Sequence, residues 1–172
     1  MLFRSKPTID GAGVRLVRVL GSPTVKTFDP FLMLDAFDST NPDDYTKGFP
    51  THPHRGIETF TYLVNGAIEH KDSLGNEGVI GDGDCQWMTA GGGILHQEMP
   101  LASPRMLGLQ LWINLPAKHK MVDPKYRDIT APMVPHVAED GATVAVVAGR
   151  YKDVNGAAQG DYVDVRFLDV RL

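Results

Sequence analysis

Two short patterns in this chain pair metal-ligating side chains two residues apart: His52-Pro53-His54 and His96-Gln97-Glu98. In an extended segment successive side chains point to opposite faces, so the members of each pair point the same way. Pro53 favours an extended His52, because the residue before a proline is pushed out of the helical region. Two such pairs on neighbouring strands offer four ligand atoms from rigid backbone. Imidazole suits Fe, Cu, Ni and Zn, and a carboxylate completes the set. One His-x-His pair alone is more often a surface or hydrogen-bonded feature. Two pairs in a strand-rich chain point to a metal ion. Glu98 is one candidate carboxylate. Glu58, four residues after His54, is another; its alternative is an outward-facing partner for a Lys or Arg.

The other chemistry-bearing residues read more plainly. Gly91-Gly92-Gly93 lacks the following Gly-Lys-Ser/Thr of a phosphate loop, so a tight turn into the His96 strand is expected. His70 follows a hairpin signal and His119 lies in Lys118-His119-Lys120; both are expected at the surface. Trp87, Trp112 and Met88 read as core, and Cys85 as a buried, inert thiol.

Strands must position the histidine pairs. Residues 14–20, Val-Arg-Leu-Val-Arg-Val-Leu, alternate apolar and polar as a half-buried strand does. Residues 57–64 do the same with β-branched and aromatic side chains, and Asn65-Gly66 is a hairpin signal leading to a return strand over 67–71. Further strands are expected over 85–90, 94–99, 106–115, 143–147 and 162–170, with turns at 74–77 and 81–84. No segment carries a long 3.6-residue apolar period. Eighteen glycines, twelve prolines and many short strands indicate an all-β sandwich or barrel. The Pro-rich residues 131–135 read as a linker.

Composition bounds the function. The 172 residues suffice for one domain with a real core, and 42% hydrophobic with 22% charged residues is a globular mixture. A net charge of −4 without a Lys/Arg cluster argues against direct nucleic-acid binding. No run of about 18 apolar residues suggests a membrane span, and the N-terminus lacks a signal-peptide apolar region. The sole cysteine fits a reducing compartment, so a cytoplasmic protein is expected.

Several blocks resemble the pirins. They are residues 30–35 (Pro-Phe-Leu-Met-Leu-Asp), 52–59 (His-Pro-His-Arg-Gly-Ile-Glu-Thr), 86–100 around His96, and 110–116 (Gln-Leu-Trp-Ile-Asn-Leu-Pro). The resemblance extends over nearly the whole chain. It implies a cupin β-barrel of the jelly-roll, double-stranded β-helix type. It also implies one divalent metal, expected to be Fe(II), held by His52, His54, His96 and Glu98. Mn, Co, Ni, Cu or Zn would also suit such ligands. General cupins take their carboxylate near the position of Glu58; the pirin pattern takes it at that of Glu98.

Pirins usually contain two barrels. The resemblance therefore implies a metal-binding barrel over residues 1–135 and the opening strands of a second over 136–172. That tail is expected to pack on the first barrel or to pair with another chain as a homodimer. The chain is then a fragment, a processed form or a natural short version.

For function, the resemblance implies quercetin 2,3-dioxygenase activity, the ring-opening oxygenation of a flavonol-like aromatic substrate by O2. In that chemistry Glu98 accepts the enol proton as general base. The competing expectation, taken from mammalian pirins, is a metal- and redox-dependent regulatory protein that acts on a protein partner. A purely structural cupin is the third.

Overall fold

In the computed structural model of the chain, residues 5–25 and 28–172 are described. They form sixteen strands and three single 3-10 turns. The first strands are β1 (Lys6–Asp10), β2 (Val14–Leu20), β3 (Phe31–Ser39), β4 (Phe49–His54) and β5 (Ile57–Asn65). Then come β6 (Ala67–Asp72), β7 (Glu77–Ile80), β8 (Cys85–Thr89), β9 (Ile94–Leu101), β10 (Met106–Asn114) and β11 (Lys125–Ile129). The C-terminal part holds β12 (His136–Glu139), β13 (Ala142–Ala148), β14 (Arg150–Tyr151), β15 (Val154–Asn155) and β16 (Phe167–Arg171). No described helix is long and apolar enough to cross a membrane.

Two antiparallel sheets make the barrel. One has the order β1-β2-β3-β10-β5-β8-β11, and the other β4-β9-β6-β7. Strand alternation sends one set of side chains between the sheets. There Leu16, Phe37, Leu63 and Met106 of the larger sheet meet Ile68 and Ile80 of the smaller. The β5–β6 hairpin turns at Gly66, whose φ of 106° is open to glycine but costly for other residues. The triple glycine is a tight turn into β9. A Cβ on Gly91 would lie 2.0 Å from the Val122 carbonyl oxygen, so the 116–124 loop can press against it only because Gly91 has none.

The outer face of the larger sheet is equally apolar. Phe60, Tyr62, Trp87, Leu111 and Ile113 point there, and they share one core with Ala145, Val147 and Val165 from the C-terminal part. That part is a three-stranded sheet, β12-β13-β16, laid against the barrel wall. Tyr62 Oη donates to Asp169 Oδ2 at 2.8 Å across the junction, and Phe167 packs on Phe60 and Tyr62 at 4.8 and 5.3 Å.

Two sequence expectations need correction here. Residues 162–166 are not strand; the ladder begins only at Phe167, while Val165 plugs the junction at 2% exposure. Residues 131–135 are no loose linker either. Ala131–Met133 makes one 3-10 turn, and Val134 is buried in the shared core.

Candidate metal centre

The histidine pairs meet because β4 and β9 are antiparallel neighbours with His52 directly opposite His96. His54 joins them from the same face of β4. The three imidazoles form a group whose ligand atoms all lie within 4.8 Å of one another. His52 Nε2 is 3.1 Å from His54 Nε2 and 3.1 Å from His96 Nε2. An ion about 2.0–2.1 Å from each nitrogen would separate its ligand atoms by about 3.0–3.4 Å, so the cluster has the right span. His52 Nδ1 lies 2.8 Å from the Pro50 carbonyl oxygen and can only donate to it. That fixes the proton on Nδ1 and leaves the Nε2 lone pair aimed at the other rings.

Burial holds His54 and His96 in the neutral, ligating form. Desolvation, helped by the neighbouring histidines, lowers the His96 pKa to about 3 and the His54 pKa to about 4. Glu98 opposes the shift at His54.

Glu98 is buried beside the cluster, but its oxygens are not among the three-histidine group. Instead they are filled by neutral donors. Oε2 accepts from Gln110 Nε2 at 2.6 Å; Oε1 accepts from Thr61 Oγ1 at 3.2 Å and from Gln86 Nε2. Gln86 Oε1 lies 3.2 Å from the Tyr126 hydroxyl, which donates its proton to Asp128 Oδ1 at 2.6 Å. The Glu98 carboxylate is held from three sides.

Glu58 is placed elsewhere. Thr61 of β5 faces Glu98, whereas Glu58 alternates to the other side of the wall. There it is fully buried and accepts from Thr89 Oγ1 at 2.6 Å. Burial raises its pKa, and the Thr89 hydrogen bond only partly offsets this. The Arg127 guanidinium lies nearby, 4.5 Å above the Trp87 ring.

Three other expectations change. His70 is not a surface residue; it is 1% exposed inside the barrel, with its ring 5.4 Å from that of His96. Its position two residues before Asp72 on an inward-facing row put it there. Trp112 is not core but a wall of the site, set edge-on to His54 at 4.9 Å. His119 is half-buried on Tyr162, with ring centroids 4.9 Å apart. Trp87, Met88 and Cys85 are buried as read, and burial pushes the Cys85 thiol well up.

A cavity of about 650 Å³ opens beside the histidines, with Met33, Phe49, Ile57 and Trp112 as apolar walls and Glu98 and Gln110 as polar ones. Asp10, Asp35 and Arg55 line it as well. Sequence reading missed Gln86 and Gln110. A glutamine at an inward position of an otherwise apolar strand was the available signal.

Residues 13–113 match the family model Pirin. The chain belongs to the pirin family. A pirin-like protein of Caulobacter vibrioides is 51% identical over 174 residues, covering 99% of this chain and 63% of that protein. Among solved structures, a quercetin 2,3-dioxygenase from Acinetobacter baumannii is similar with a TM-score of 0.86 and 36% identity, over 99% of this chain and 62% of that one. The bacterial pirin YhhW of Escherichia coli, solved in complex with nickel(II), has a TM-score of 0.62 and 26% identity over 84% of this chain and 59% of that one. This pirin chain thus spans less than two thirds of the length of these relatives.

Proposed function

We propose that this pirin chain binds one divalent metal, Fe(II), through His52, His54, His96 and Glu98, and oxygenates a flavonol-like enol with O2. The observation that carries the reading is the convergence of three imidazoles beside a buried carboxylate, at the foot of a largely apolar cavity. The likeness to a quercetin 2,3-dioxygenase structure supports the substrate class. The chain's likeness to a nickel-bound pirin supports a metal at these histidines.

The bound ion would supply Lewis acidity toward the enol oxygen and a site for O2. The remaining work falls to side chains. Trp112, Met33 and Phe49 would hold the aromatic rings and exclude water. Glu98 would receive the enol proton at a carboxylate oxygen, turning out of its contact with Gln110 or Gln86 to do so. Those two amides and Thr61 return it to one orientation, which keeps the acceptor at a fixed distance from the substrate.

The test is quercetin loss with O2 uptake by the full chain loaded with Fe(II). Turnover that disappears in Glu98→Ala and His96→Ala supports the reading. A metal-loaded, folded chain that takes up no O2 with any flavonol overturns it.

A further inference from the structure

The misplaced histidine carries the inference. His70 sits on β6, beside β9, with its ring stacked on Tyr126 at 4.2 Å and 21°. Its Nε2 is 3.1 Å from Asp72 Oδ2, and both side chains are sealed from solvent. Asp72 is itself fixed, since Oδ1 accepts from the backbone N–H of Leu74 at 2.9 Å and of Asn76 at 3.1 Å. Asn76 Nδ2 donates to Oδ2 at 2.8 Å. Two ring nitrogens in this pocket have no protein partner, His70 Nδ1 and His96 Nδ1, and both are buried.

A histidine that binds a metal through Nε2 carries its proton on Nδ1, and that N–H needs an acceptor. The Pro50 carbonyl serves His52 in this way. At His96 neither a carbonyl nor a carboxylate is in reach of Nδ1. The other orphan ring nitrogen is on His70, whose ring centroid lies 5.4 Å from that of His96. If His70 donates its Nε2–H to Asp72, its Nδ1 is left as an acceptor of the right sense.

We propose that Asp72 and His70 form a positioning dyad for the metal ligand His96, with one buried water joining the two Nδ1 atoms. The chain Asp72–His70–water–His96 sets the tautomer and ring angle of His96 from the side away from the ion. A water held by two such nitrogens has the polar partners that buried water requires. The proposal rests on the reading that His52, His54 and His96 hold the metal.

The test measures Zn(II) affinity of the full chain by competition with a chelating dye, alongside thermal unfolding of the metal-free forms. His96→Ala reports on the metal site itself and is expected to lose tight binding. His70→Leu and Asp72→Asn are expected to weaken binding 10- to 100-fold, the usual effect of losing such a partner. Asp72→Asn is the sharper probe. Its carbonyl oxygen can still take the two backbone N–H groups, while its NH2 faces His70 and forces the opposite tautomer. His70→Gln keeps an acceptor and is expected to recover part of the affinity. In Zn(II)-loaded wild type, nitrogen NMR should show a protected His96 Nδ1–H that is lost in Asp72→Asn. If His70→Leu fails to fold, Asp72→Asn and the NMR signal decide. Wild-type affinity in folded Asp72→Asn, with His96→Ala unable to bind, overturns the dyad alone. Full binding by His96→Ala overturns the metal reading and the dyad with it.

Discussion

Glu98 on β9 of the smaller sheet points into the barrel, whereas Glu58 on β5 of the larger sheet points out through the facing wall; both are buried and hydrogen-bonded, but in different neighbourhoods. Glu98 faces the histidines and is held by Gln86, Gln110 and Thr61. Glu58 faces the outer side of the larger sheet, near Trp87 and Arg127, and is held by Thr89. Thr61 and Glu58 are three residues apart on β5, so strand alternation turns Glu58 away from the face on which Thr61 meets Glu98.

That separation gives a direct comparison. Glu98→Gln should weaken metal binding by tenfold or more, because the new NH2 meets amide donors and a ligand oxygen is lost. Glu58→Gln should leave the metal in place and act only on stability. Metal titrations of the two variants side by side check this. Loss of metal in Glu58→Gln alone would mean that the carboxylate has been wrongly assigned.

Metal content should fall sharply in His54→Ala and His96→Ala, as read by elemental analysis of protein purified without added metal. His119→Ala should retain it, since that ring packs on Tyr162. Equal loss in all three would place the ion elsewhere.

Stability of the metal-free protein should fall in acid. His54 and His96 titrate near 4 and 3 in the folded chain, mainly because burial disfavours the charged form, against 6.5 when unfolded. Below pH 6.5 the unfolded chain therefore binds protons that the folded chain refuses. The contribution is intact above about pH 6.5 and is lost progressively as the pH drops toward 3. Urea midpoints at several pH values would reveal it, and His54→Gln/His96→Gln should flatten the slope. A midpoint unchanged between neutral pH and pH 4 would contradict the prediction.

Removing the C-terminal sheet should expose an apolar face. Phe60 and Trp87 are 1% and 0% exposed, and residues of the 136–172 segment are part of the core that buries them. We propose that this segment represents the start of a second barrel. A chain ending at Pro135 should aggregate or bind a hydrophobic dye. Phe167→Ala should cost about 3 kcal/mol in denaturant unfolding, since its ring fills the gap between Phe60 and Tyr62. Light scattering and urea titration check the two, and an equally stable monomer after truncation would refute the first.

Much of the barrel was legible because its signals are local. The residue alternation over 14–20 matches β2 end to end, and Asn65-Gly66 marked the β5–β6 hairpin. The strands that sequence reading passed over are β1, β3, β7, β11, β12, β14 and β15. Several are short or lie at sheet edges, where one face needs little apolar alternation. Residues 162–166 misled for the converse reason. Val163 and Val165 look like strand residues, but their apolar side chains fill the junction without a ladder partner.

By itself the sequence determined the all-β class, the pirin resemblance and the two histidine pairs, because the two-residue spacing of ligands is a property of any extended chain. Tertiary structure alone decided what meets what. Register between β4 and β9 set His52 against His96, and alternation along β5 turned Glu58 away from them. Packing of β6 beside β9 buried His70 beside His96, where sequence placed it at the surface. Gln86 and Gln110 come from strands 24 residues apart and converge on one carboxylate. Such relations depend on strand pairing over long separations, and no local pattern in the chain encodes them.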